Sequence, residues 1–107
     1  MLSFKRLLWW ILAGSAGGLN RARILRLLKN YPSNYNQIAK TLGLDYKTVR
    51  HHMDVLSQNK LVNSQGEGYG KVFFISPDLE DNWTIFEEIW VEIGKKNKTG
   101  EPMEEIK

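Results

Sequence analysis

The chain has 107 residues and no cysteine, with 42% hydrophobic and 25% charged residues and a net charge of +3. That length accommodates one domain with tails, the composition excludes a disordered or fibrous chain, and the missing thiols exclude disulfides, cysteine metal sites and thiol catalysis. The charge is unevenly placed: residues 1–75 carry eleven Lys/Arg against three Asp/Glu, and residues 76–107 carry four against nine. A basic body with an acidic C-terminal segment points to a polyanionic partner for the body.

Lys5 and Arg6 precede an apolar run at residues 7–13, and Gly14, Ser15, Ala16, Gly17 and Gly18 follow. This order superficially matches a secretory signal. The run is shorter than the ~20 apolar residues of a membrane-spanning helix. Residues 1–19 therefore read as a hydrophobic helix and a glycine-rich link, packed on the domain or on a second copy of it. Residues 7–12 are apolar all round, which requires burial on more than one side.

Asn20 is a candidate cap for a helix through Tyr31, with Ile24, Leu27, Leu28 and Tyr31 on one face. Pro32 ends it, and residues 33–35 read as a short strand. Asn34 or Asn36 caps a second helix to Leu42, which Gly43 terminates. Asp45 caps a third helix over residues 46–59, with Val49, Met53 and Leu56 at core spacing. The period then changes: residues 61–65 and 71–76 read as two strands around the glycine-rich turn 66–70. Ser76 and Pro77 open a last helix over residues 77–96, with Asp78, Glu80 and Asp81 at its start and Lys95 and Lys96 at its end, all complementing the helix dipole. Its stripe runs Leu79, Trp83, Phe86, Trp90 and Ile93, widened by Ile85 and Ile89. Disorder is expected over residues 97–107.

Two closely crossing helices need a small residue on the first, a left-handed turn residue between them, and apolar residues that hold the angle. Ala39, Gly43 and Val49 occupy those places, and Ile38, Leu42 and Leu44 fill the apolar slots. A hairpin follows at once, so the expected fold is mainly α with a small β-hairpin wing: a winged helix-turn-helix core at residues 20–76.

The stretch QIAKTLGLDYKTVRHHMDVLSQNKLV at residues 37–62 resembles the ArsR-type winged helix-turn-helix transcription regulators. The resemblance is closest to their archaeal branch, where a Leu-Leu-Trp-Trp start (residues 7–10) and a Gly-Glu-Gly-Tyr-Gly wing (residues 66–70) also occur, and it extends over about residues 7–93. It implies a cytoplasmic, homodimeric, DNA-binding regulator that pairs through its first and last helices. Metal-sensing members of that family carry cysteines before the recognition helix or Asp/His pairs on the last helix. Residues 38–42 here hold no Cys and residues 83–93 no His, so no metal and no cofactor are expected.

The third helix has the surface that a major groove admits. Tyr46, Lys47, Thr48, Arg50 and His51 lie off its core face, and Arg50 or Lys47 can donate to guanine O6 and N7. His52 points about 100° away from His51 and takes an inward packing position. Lys71 and Tyr69 on the wing, Asn36 and Gln37 at the start of the second helix, and Lys40 are the candidate phosphate contacts. Glu67 at the hairpin tip opposes them, so the wing is expected to approach DNA through its flanks. Arg21, Arg23, Arg26 and Lys29 either neutralise the acidic last helix of a partner or stay solvated.

The chain's four tryptophans all lie on the two outer helices. With Leu8, Trp9, Leu12, Trp83, Phe86, Trp90 and Ile93 at a twofold interface, two recognition helices would sit ~34 Å apart on double-stranded DNA. The alternatives are a winged-helix scaffold that contacts protein and a non-specific, chromatin-like DNA binder. An enzyme is not expected, since no paired carboxylates, nucleophile–base set or phosphate loop occurs. No membrane partner is expected, and a small-molecule effector has no residue pattern to identify it.

Overall fold

A computed structural model describes residues 3–98. Helix α1 (Phe4–Leu12) starts at Ser3, whose hydroxyl accepts the Arg6 N–H. Helix α2 (Gly18–Asn30) begins three residues earlier than the Asn20 cap would have it, after Gly17 at φ 83°. Position 18 has no room for a side chain: a Cβ on Gly18 would stand 2.2 Å from the Leu12 carbonyl oxygen. Asn20 lies inside the helix and accepts from Arg23 instead. The inward face of α2 is Arg21, Ala22, Ile24, Leu25 and Leu28, while Tyr31 lies beyond the helix and is 68% exposed.

Helix α3 (Tyr35–Leu42) is capped by Asn34, reciprocally with Gln37, and ends at Gly43 in the left-handed region, φ 67°. Asn34 therefore takes the capping place, and Asn36 lies inside the first turn. Because Asn34 caps and Tyr35 is already helical, the expected strand at residues 33–35 shrinks to one antiparallel bridge between Ser33 and Phe73. Helix α4 (Tyr46–Gln58) starts at Asp45, whose carboxylate accepts the Thr48 N–H. Strands β1 (Val62–Gln65) and β2 (Val72–Ile75) pair antiparallel, with Val62 opposite Ile75 and Gln65 opposite Val72.

The single last helix expected over residues 77–96 is two helices, α5 (Pro77–Asp81) and α6 (Trp83–Lys98), with the break at Asn82. The Asn82 amide donates to the Asp78 carbonyl, the competition with the helix ladder that makes Asn a poor interior residue. Helix α6 runs past residue 96 to Lys98; the expectation of disorder for residues 99–107 lies outside the described residues.

One core joins every element, from Leu8, Ile11 and Leu12 of α1 through Ile38, Met53 and Phe73 to Leu79, Phe86, Ile89 and Ile93. This corrects the assignment of Leu8, Leu12, Phe86 and Ile93 to a twofold interface, since all four are buried inside one chain. Trp9, Trp83 and Trp90 are only half-buried. Trp83 and Trp90 pack under Lys29 and Arg26 of α2, with the Arg26 guanidinium 4.5 Å from the Trp90 ring. Lys29 also pairs with Glu80, so these two cations meet the C-terminal helices of their own chain. The most exposed tryptophan is Trp10, at 60%, on the outer side of α1 beside Lys5 and Arg6. No helix among the described residues is long and apolar enough to cross a membrane.

Candidate nucleic-acid interface

Helix α4 divides cleanly by burial. Val49, His52, Met53 and Leu56 are buried, whereas Lys47, Arg50 and His51 are exposed on the other side and Thr48 is half-buried between them. Gly43 and Asp45 fix the start of α4 against α3, and the Arg23 guanidinium donates to the Leu42 carbonyl at 3.0 Å, tying α2 to the same turn.

Aromatic rings join α4 to the β1–β2 hairpin. Tyr46 lies 5.8 Å edge-on from Tyr35 and 6.4 Å from Tyr69, and Tyr35 lies 5.0 Å from Phe73 of β2. Tyr46 is half-buried and its hydroxyl is fully buried, so this residue joins α3, α4 and the wing and is not free to touch a base. The Arg50 guanidinium lies 5.0 Å from the Tyr35 ring centroid. Stacked there, it is an exposed cation with fewer rotamers to lose on binding.

The expected phosphate contacts are dispersed around this helix. Asn36 and Gln37 are exposed on the first turn of α3, though the Gln37 carbonyl oxygen is engaged by the Asn34 N–H and only its amide nitrogen is left to donate. Lys40 is exposed further along α3. Tyr69 is 73% exposed in a single helical turn at the wing tip, and Glu67 is exposed beside it. The Lys71 ammonium lies 5.6 Å from the Phe73 ring, on the flank of the hairpin.

The sequence reading missed a buried network behind α4. Arg21 is 4% exposed and donates to the carbonyls of Ile11 (3.1 Å) and Ala16 (2.9 Å), to Ser15 Oγ (2.7 Å) and to His52 Nδ1 (3.2 Å). Burial lowers the Arg21 pKa from its ordinary value. Burial, then the charges of Arg21 and His51, also lower that of His52. One signal was available: Arg21, Ile24, Leu25 and Leu28 share one helical face. His52 is buried, as its inward position suggested.

Residues 20–64 match the model described as the bacterial regulatory protein, arsR family. The matched span runs from the first turns of α2 to β1 and contains α3 and α4. No curated protein matches the chain. Among solved structures, the chain is similar to the homodimeric winged helix-turn-helix DNA-binding domain Mb0332 from Mycobacterium bovis, described as a possible ArsR-family regulator. There the TM-score is 0.61 and the identity 20%, over 89% of this chain and 82% of that one. It is also similar to Staphylococcus aureus MarR, solved with salicylate and kanamycin, with TM-score 0.60 and 18% identity over 89% of this chain and 64% of that longer one. A probable transcriptional regulator from Pseudomonas aeruginosa gives TM-score 0.55 and 18% identity over 79% and 70%. At such identities the likeness establishes the fold, a winged helix-turn-helix.

Proposed function

We propose that the chain is a transcription regulator that binds double-stranded DNA with sequence preference as a homodimer, placing α4 in the major groove and the β1–β2 wing along the backbone. The observation that carries this reading is the exposed side of α4, where Lys47, Arg50 and His51 stand opposite the buried Val49, Met53 and Leu56. The arsR-family match contains this helix. Arg50 donates to guanine edges, and Lys47, Thr48 and His51 contact bases or phosphates beside it. Asn36, Gln37, Tyr69 and Lys71 hold the backbone, and Tyr46 positions the wing.

Pairing uses the outer faces of α1 and α6, where Trp10 and Val91 are exposed at 60% and 52%. Trp9, Trp83 and Trp90, half-buried within one chain, add their remaining exposed area to the pairing. A twofold pair would present two α4 helices to one face of the duplex about one turn apart, ~34 Å. The residue resemblance also supports a cytoplasmic location and an archaeal affiliation.

Fluorescence anisotropy with a duplex from the protein's own promoter and with a scrambled duplex, across a salt series, tests the reading. The expected result is a promoter preference of ~10³ or more. Equal binding to both duplexes points instead to a general DNA binder, and no binding at moderate salt to a protein-contacting scaffold.

A further inference from the structure

The buried pair of Arg21 and His52 is not used by the DNA-reading side chains. Every acceptor that Arg21 meets is neutral: two carbonyls, one hydroxyl and one imidazole nitrogen. Among the described residues no carboxylate pairs with this guanidinium. Buried cations are ordinarily matched by an anion. A guanidinium has donors only, so His52 Nδ1 must be the acceptor and the neutral ring carries its proton on Nε2. No acceptor among the described residues meets that Nε2–H.

His52 also lines a cleft of about 410 Å³ together with Ala16 and Gly17, from the turn between α1 and α2, and with Lys47, Thr48 and His51 of α4. One lysine and two histidines are among the residues that line it, and no carboxylate residue is. Asp45 lies outside it, bonded to the Thr48 N–H at the start of α4. We propose that this cleft is an oxyanion site that holds a phosphate group, with His52 Nε2–H and the Lys47 ammonium as donors and Arg21 as the buried positive charge behind them.

The source of the phosphate follows from the proposed DNA-binding reading, on which this part of the inference rests. Lys47, Thr48 and His51 belong to the side of α4 placed in the major groove, which is ~12 Å wide and walled by sugar-phosphate backbone. The segment alongside α4, at Ala16 and Gly17, then faces that wall. A backbone phosphate of DNA is the oxyanion that reaches the cleft.

The test uses nitrogen-detected NMR of the histidine rings in the full chain, titrated with inorganic phosphate, with DNA duplex, and with chloride at matched ionic strength. The His52 ring nitrogens and the Lys47 and Thr48 amides are expected to shift saturably with phosphate and with duplex and not with chloride. A shift with inorganic phosphate but none with duplex, when anisotropy shows the duplex bound, overturns DNA as the source. No shift with either, again with duplex bound, overturns the site and leaves the DNA-binding reading standing. If no duplex binds at any salt, that reading fails and the phosphate titration alone decides the site. His52→Leu removes the donor and is expected to abolish the phosphate response at Lys47 and Thr48. In His52→Gln the amide can accept from Arg21 and still donate, so its response is retained and separates loss of the donor from loss of the fold. A full phosphate response in His52→Leu would overturn the assignment.

Discussion

Replacing Arg21 by leucine removes the donor fork that ties the end of α1, the turn after it and α4 to α2. The acceptors left behind differ in their fate. Ser15 Oγ keeps a bond to the Trp10 carbonyl, and Ala16 is exposed enough for water to replace the lost donor. The Ile11 carbonyl keeps a long bond from Ser15 Oγ at 3.4 Å, so His52 Nδ1 is the acceptor that loses its partner inside the protein. A buried acceptor left unpaired costs ~1–3 kcal/mol, and some of that is offset because a buried charge is no longer desolvated. The expected net loss is about 1–3 kcal/mol, which lowers the midpoint of thermal unfolding on the order of 5–25 °C for a domain of this size. Arg21→Lys is expected to fare little better, because one ammonium cannot reach acceptors that diverge around a planar fork. Calorimetry or thermal circular dichroism at pH 7 measures both. An Arg21→Leu midpoint equal to or above that of the parent would refute the argument, showing that the buried charge costs more than its hydrogen bonds return.

Because the His52 pKa is lowered on folding, the unfolded chain binds more protons below about pH 6.5. Stability is therefore full above that pH and falls as the pH drops towards the folded-state value, with a slope of at most ~1.4 kcal/mol per pH unit; urea titrations from pH 7.5 to 5 should show this component lost in His52→Gln. Gly18→Ala places a Cβ 2.2 Å from the Leu12 carbonyl oxygen, whereas Gly43→Ala meets nothing within 4 Å and is strained only by its φ of 67°. The second variant should lose ~1–2 kcal/mol and the first clearly more in parallel denaturant melts; equal losses would contradict the packing described between α1 and α2. Trp10→Ser leaves the core of the single chain untouched, so sedimentation should report a weakened dimer with an unchanged melting curve for the monomer, and an unaltered dimer would remove α1 from the interface.

Much of the fold was legible because its boundaries are set by local chemistry. Asn34 with Gln37, Gly43, and Asp45 with the Thr48 N–H each act over three or four residues, and the hairpin is marked by its glycines. What was misread depends on distant neighbours. Helix α2 starts at Gly18, where the Leu12 backbone leaves no room for a side chain, and α5 parts from α6 where the Asn82 amide captures a carbonyl. Apolar spacing on the outer helices could not say which residues serve the chain's own core, so Leu8, Leu12, Phe86 and Ile93 were assigned outward. In the candidate site, the exposed places of Lys47, Arg50 and His51 followed from helical phase alone. The burial of the Tyr46 hydroxyl and the Arg21–His52 pair required the tertiary arrangement, since their partners come from other elements.

The account depends most on α4 reading base edges, and the direct measurement is the affinity of Arg50→Ala for promoter and scrambled duplexes at one salt concentration. Loss of a guanine contact worth ~1–3 kcal/mol should weaken promoter binding about 5- to 150-fold, while scrambled binding falls only by the smaller amount due to one lost charge. The preference for the promoter would then shrink, with the variant's melting curve unchanged. An equal loss on both duplexes, or none on either, would contradict base reading by this helix.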